Sequence, residues 1–290
     1  AFLAGSHAQA GPLLEQFVKQ YPEDRLLAYA LAYLGEVCLA RGDAASAARH
    51  FRDCLQRFPQ GRLQDDCRLG LARALEKLDQ HEEAERIYIA LAGKAGQRLS
   101  DEAQFRLGAL YYNRGRNADA LEAFAPFEGK LSDSPWRPHA LLGKGWALWK
   151  LGQFEQARRC FESIAADATV GVQAGYWLGL TEKALGNYKA AAEVLLKTAQ
   201  AAPEDDLAPQ IWLHAGEALV RAGDPVGATD AFDKLIARGQ AGNQWLDAAL
   251  RGKIQAALQQ SDHQSVDRLA QPVSYTHLRA HETPEHLVCR

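Results

Sequence analysis

One spacing constrains this chain more than any other: an alanine followed four residues later by a large apolar residue recurs about every 37 positions. The pairs are Ala47 and Phe51, Ala84 and Tyr88, Ala120 and Phe124, Ala157 and Phe161, Ala191 and Leu195, and Ala228 and Phe232. A small residue stands twelve positions before each alanine, at Gly35, Ala72, Gly108, Gly145, Gly179 and Gly216. Six repetitions of one register predict a repeat architecture in which each unit is a pair of amphipathic helices. Glycine or alanine at the two marked places lets the helix backbones approach, so that the large residues around them interlock. A single pair cannot bury its own apolar face, and neighbours must stack.

The joints support this reading. Gly42-Asp43, Gly186-Asn187 and Gly223-Asp224-Pro225 predict a left-handed residue ending one helix and an Asp or Asn capping the next. Pro225 suits a first helical turn. Pro126 lies late in its helix and should end it early, leaving Gly129 to Pro138 as the longest irregular connection.

The pattern resembles the tetratricopeptide repeat, whose signature is W-x2-L-G-x2-Y, then A-x3-F, then P. Leu34-Gly35-x2-Cys38 and Leu107-Gly108-x2-Tyr111 carry its first half, Trp212 supplies the tryptophan, and Pro59 and Pro203 close two units. Lys144 before the glycine and Glu182 in an aromatic place depart from it. The resemblance implies an all-α fold, an α-solenoid of stacked helix-turn-helix repeats winding into a right-handed superhelix. On this register residues 1–24 are the remnant of a preceding repeat and 25–271 an array of about six repeats plus a truncated one. Trp245 to about Gln259 is its first helix, and the partner helix starts near Asp262.

Residues 272–290 break the period. Val273 to Thr283 matches one reading frame of a transposase-type sequencing adapter, and His286 to Arg290 the flanking primer. This tail is expected to lie outside the fold, and a His-rich metal site is the reading it displaces. The sequence opens on Ala1 and contains no methionine, so the start codon is expected upstream and the chain is expected to be a fragment.

Composition narrows function by exclusion. A formal charge of −3, a pI near 6.3 and dispersed Lys and Arg argue against a nucleic-acid surface. No stretch approaches the ~18 apolar residues of a membrane span. Cys38, Cys54, Cys67 and Cys160 lack C-x2-C spacing, and no metal or cofactor is expected. Cys38 and Cys54 read as buried apolar filler, with a disulfide between them the sharper alternative. His81-Glu82-Glu83 lacks the second histidine of a zinc motif, and Gly143-Lys144-Gly145 lacks the rest of a phosphate loop. Asp65-Asp66 and Glu204-Asp205-Asp206 read as charges favouring helix starts. No catalytic arrangement emerges.

The family resemblance implies a concave surface lined by the first helices, with residues three before, one after and four after the small residue pointing into it. Those places hold Phe105, Tyr112, Trp146, Trp149 and Tyr176 in the middle units, flanked by Arg73 and Lys183. They are the candidate site for a protein or peptide partner. Filling of a tight superhelix by its own rings is the alternative, and both stay open here. The family's carboxylate clamp finds no matching asparagines, since Asn113 stands alone. The expected function is thus a non-catalytic interaction scaffold, with the recognition module of a larger enzyme as the alternative and an α/α-toroid enzyme a distant third. Tyr21-Pro22-Glu23-Asp24-Arg25 and Phe58-Pro59-Gln60-Gly61-Arg62 look like the repeat joints of bacterial cell-envelope proteins of the Tol-Pal-associated and outer-membrane-assembly type, which implies a periplasmic setting.

Overall fold

A computed structural model describes residues 7–94, 96–237 and 244–270. The tail at 272–290 lies outside the described residues. The described residues contain fourteen α-helices, one 3-10 turn, a last helical stretch at 263–270 and no strand. The fold class is all-α, a helical-repeat solenoid, and the helices fall on the predicted register. Helix α1 (His7–Gln20) is followed by the pairs α2 (Leu27–Ala40) and α3 (Ala44–Arg57), α4 (Gln64–Lys77) and α5 (His81–Ala92), and α6 (Ser100–Asn113) and α7 (Asn117–Phe124). Next in sequence come α8 (Arg137–Lys150) and α9 (Phe154–Ile164), α10 (Gly171–Ala184) and α11 (Tyr188–Ala201), α12 (Ala208–Ala222) and α13 (Pro225–Ala237), and α14 (Gln244–Gln259).

The chain divides into two compact units, 1–147 and 148–290, with the division inside α8. In the first unit consecutive helices pack on one another, and α2 also touches α4; in the second, α10 touches α12 and α12 touches α14. The burial pattern follows from that stacking. A first helix is covered by its own partner and by neighbouring pairs, so α2 buries nine residues spread around its circumference. A second helix keeps one face in water, and α3 buries only Ala44, Ala47, Ala48, Phe51 and Cys54, a single stripe.

The alanine-aromatic pair has a plain steric role. Phe51 lies between Gly35 of its own pair and Gly70 of the next, and a Cβ built on either glycine would come within 2.6 or 2.3 Å of the ring. Phe124 lies likewise between Gly108 and Gly143, and Phe232 between Gly216 and Gly252. Each ring is at most 1% exposed. The ring is therefore the spacer that sets the separation of three helices, and truncating one to alanine would cost about 3–5 kcal/mol.

Most joints are built as expected. Gly42, Gly186 and Gly223 take φ of 81°, 82° and 80°. Asp43 accepts a hydrogen bond from the Ser46 amide at 2.9 Å, and Asp224 from the Gly227 amide at 2.9 Å. One repeat after Gly42, at the matching place, Asp79 adopts φ 57° without the freedom of a glycine. Asn187 corrects the expectation of a side-chain cap. Its amide reaches back 2.7 Å to Glu182 instead, and α11 has no side-chain cap bond.

That contact also explains Glu182, which stands where the repeat has an aromatic. It is 6% exposed, yet Asn187 and the Arg158 guanidinium, 3.8 Å away, compensate its charge. Lys144, the other departure, pairs with Glu128. Pro126 stops α7 at Phe124 and forces the 3-10 turn Ala125–Glu128; α8 then begins at Arg137, one residue before Pro138, which shortens the predicted irregular connection to 129–136.

Candidate functional site

In the first unit the predicted groove face is carried by the first helices α2, α4, α6 and α8. Glu36 and Arg73, both one residue after the small position of their repeats, form an ion pair in which one Arg73 nitrogen is 3.1 Å from each carboxylate oxygen. Both side chains are about a third exposed. Glu76, three residues further along α4, accepts the Tyr88 hydroxyl at 2.7 Å, and burial raises its carboxyl above the ordinary range. Phe105 stacks on Trp136 with centroids 5.1 Å apart and planes 17° apart, and its edge meets His139 at 6.0 Å. It also tilts onto Phe124 at 6.3 Å, so this ring belongs in large part to the packing between repeats. Tyr112 and Trp146 pair at 5.9 Å, both half-buried, and burial raises the Tyr112 hydroxyl.

The second unit carries the rest. Trp149 packs edge-on against Phe154 at 5.7 Å and Trp177 at 5.5 Å. Its indole N–H is buried and meets no acceptor among the described residues. Tyr176 is edge-on to Trp177 at 5.9 Å and lies 5.8 Å from the His214 ring. Lys183 donates to Glu217 at 2.6 Å and lies 3.1 Å from His214 Nδ1, which is itself 2.8 Å from the same Glu217 oxygen. Burial works against the Glu217 charge, but the bonds from His214 and Lys183 outweigh it and hold the carboxyl at about 2. Beside this cluster opens a cavity of about 500 Å³, lined by Lys183, Tyr188, Glu217, Val220, Arg221 and Gln255 among others.

The structure thus joins Tyr112 to Trp146 in one unit and links Trp149 to Tyr176 through Trp177 in the other. It ties Arg73 and Lys183 to carboxylates rather than leaving them open, and it gives Phe105 a packing role. The sequence reading missed Trp136, Trp177, His139 and His214. Trp177 and His214 both lie two residues before the small position, just off the register used. A usable signal did exist, because Tyr112 with Trp146 and Lys183 with Glu217 are both spaced by 34 residues. In each case the place four after one small residue meets the place one after the next. Trp136 precedes α8, where no repeat register applies.

Among the described residues, no cluster of three or more His, Cys, Asp or Glu could hold a metal ion. Among them, too, no helix is long and apolar enough to cross a membrane. Family models described as tetratricopeptide repeat match residues 2–62 and 142–206, residues 39–100 and residues 102–125. No curated protein matches the chain. Among solved structures, a tetratricopeptide repeat protein from Parabacteroides merdae is similar at 16% identity and a TM-score of 0.56, over 90% of this chain and 95% of that one. The C-terminal part of a repeat-containing protein from Cytophaga hutchinsonii gives 16% identity and a TM-score of 0.66, over 85% and 96%. Cut9 with Hcn1, a hetero-tetramer of the APC/C, gives 16% and 0.56, over 86% of this chain and 46% of that one. At such identities the likeness concerns the fold alone.

Proposed function

Because the chain belongs to the tetratricopeptide repeat family, we propose that it is a non-catalytic protein-interaction module whose first helices bind a peptide segment of a partner. The observation that carries the reading is the cleft beside Lys183 and Glu217. It is roomy and bordered by Tyr188 and Arg221, and the half-buried Tyr176 stands behind it against His214, which contacts Glu217. A site of this make-up offers a ring face for an aliphatic side chain and charged groups that fix its orientation. In the first unit the half-buried pair Tyr112 and Trp146 offers a second contact of the same chemistry, and Arg73 and Glu36 hold the corresponding register places on α4 and α2. Phe105 serves the packing instead, against Trp136, Phe124 and His139. Trp149 acts from within the packing, where its ring holds Trp177 beside Tyr176.

Selection of a displayed random-peptide library on the folded protein tests this. The variants Tyr176→Ala with Lys183→Ala, and separately Tyr112→Ala with Trp146→Ala, should each weaken binding of the selected peptides at least about tenfold while circular dichroism stays helical. Peptides that bind both folded variants as well as the parent would refute the site.

A further inference from the structure

We propose that Cys54 and Cys67 are a modification site: a buried thiol pair that closes into a disulfide joining two successive repeats. The proposal is independent of peptide binding. Cys54 lies on α3, the second helix of one repeat, and Cys67 on α4, the first helix of the next. Their sulfurs are 3.0 Å apart, and the residues are 3% and 0% exposed. A disulfide requires about 2.05 Å, so a shift of about 1 Å between two helices already in contact would complete it. Cys38, the partner that sequence position alone offered to Cys54, is on α2 and does not hold this place; the sulfur that faces Cys54 is that of Cys67.

The two thiols are not equivalent. The Cys67 thiol donates to the Cys54 sulfur, and the Cys54 thiol faces the Ala28 carbonyl at 3.6 Å. The bond from Cys67 favours the Cys54 thiolate and lowers its pKa, whereas that same bond, together with burial, pushes Cys67 up. Cys54 is therefore the nucleophile and Cys67 the resolving thiol. Burial excludes a bulky disulfide oxidant, so the co-reactant is a small neutral hydroperoxide, with hydrogen peroxide as the simplest member. The Cys54 thiolate attacks one peroxide oxygen, the O–O bond breaks, and the departing hydroxide takes up a proton as water. Cys67 then gives up its proton and attacks the sulfur of the Cys54 sulfenic acid. The S–S bond forms, the S–O bond breaks and a second water leaves. Two thiols lose two electrons, and one peroxide gains them.

Trypsin makes the product easy to read, because Arg52, Arg57, Arg62 and Arg68 place Cys54 in peptide 53–57 and Cys67 in peptide 63–68. The reduced full chain is treated with hydrogen peroxide, quenched with catalase, alkylated in denaturant and digested without reductant. The expected result is a species carrying 53–57 linked to 63–68, lighter than the two peptides by two hydrogens and split by dithiothreitol. The Cys67→Ser variant, whose hydroxyl keeps a donor beside the Cys54 sulfur, should lose that species and yield a Cys54 sulfenic acid that dimedone traps. Recovery of both cysteines as alkylated thiols, linkage of Cys54 to Cys38 instead, or linkage formed only when peroxide is added after unfolding would each overturn the proposal. The digest of the parent chain decides by itself, so instability of the variant leaves the test intact.

Discussion

Replacing Gly108 by alanine should destabilise the protein in its natural background and stabilise it once Phe124 is gone. An alanine Cβ at position 108 would stand 2.4 Å from Phe124 Cε1 and 2.7 Å from two further ring atoms. Carbon atoms rest at about 3.5–4.0 Å, so the ring must retreat by about 1 Å. It has nowhere to go, because its far face is against Gly143, where a Cβ would itself come within 2.7 Å. The helices must part, and overpacking of this kind costs about 1–3 kcal/mol. Alanine returns about 1 kcal/mol through its better helix propensity. The net expectation is a loss of about 1 kcal/mol. In a Phe124→Ala background the clash is absent and only the propensity remains, so the same substitution should gain about 1 kcal/mol. Urea denaturation of the four proteins gives the four stabilities, provided the m-value is unchanged. The double-mutant cycle should show a coupling of about 2 kcal/mol. Equal destabilisation by Gly108→Ala in both backgrounds would show that the ring is not the cause, and the spacer role assigned to it would fall.

Two further outcomes follow from single residues. The Glu217 carboxyl, held at about 2 against its ordinary 4.5, contributes stability that is complete above pH 4.5 and is lost as the pH falls towards 2. The nominal difference of about 3 kcal/mol is reduced by solvent screening, since 44% of the side chain is exposed, to roughly 1 kcal/mol. Glu217→Gln should therefore cost about that much at neutral pH and nothing at pH 2, as read from denaturation midpoints across the acid range; an identical penalty at both ends would refute the linkage. Asp79→Gly should stabilise by about 0.5 kcal/mol, because glycine occupies φ 57° without strain and the Asp79 carboxylate, 92% exposed and 3.5 Å from His81, contributes little. A lower midpoint for this variant would mean that its side chain does more than the backbone strain suggests.

The sequence alone sufficed for the repeat, its period and the helix that each segment forms, because 3.6-residue periodicity and turn chemistry are local. Ala47 with Phe51, Gly42 before Asp43 and the stop at Pro126 could all be read before any coordinates. The inner wall of each ring clamp could be read too, since Gly35 and Gly108 belong to the repeat register. The outer wall could not: Gly70, Gly143 and Gly252 touch the ring of the preceding repeat, and that depends on how far one helix pair slides along the next. Angular position on a helix follows from residue number at about 100° per residue, whereas the stagger and crossing angle of neighbouring pairs emerge only when every side chain between them is packed. For the same reason Trp177 was invisible as the link between Trp149 and Tyr176, and Arg73 and Lys183 read as free rim charges although each meets a carboxylate of a neighbouring repeat. Cys54 found Cys67 rather than Cys38 because a second helix is in contact with the first helix of the next pair as well as with its own partner, and only tertiary packing decides which sulfur it faces.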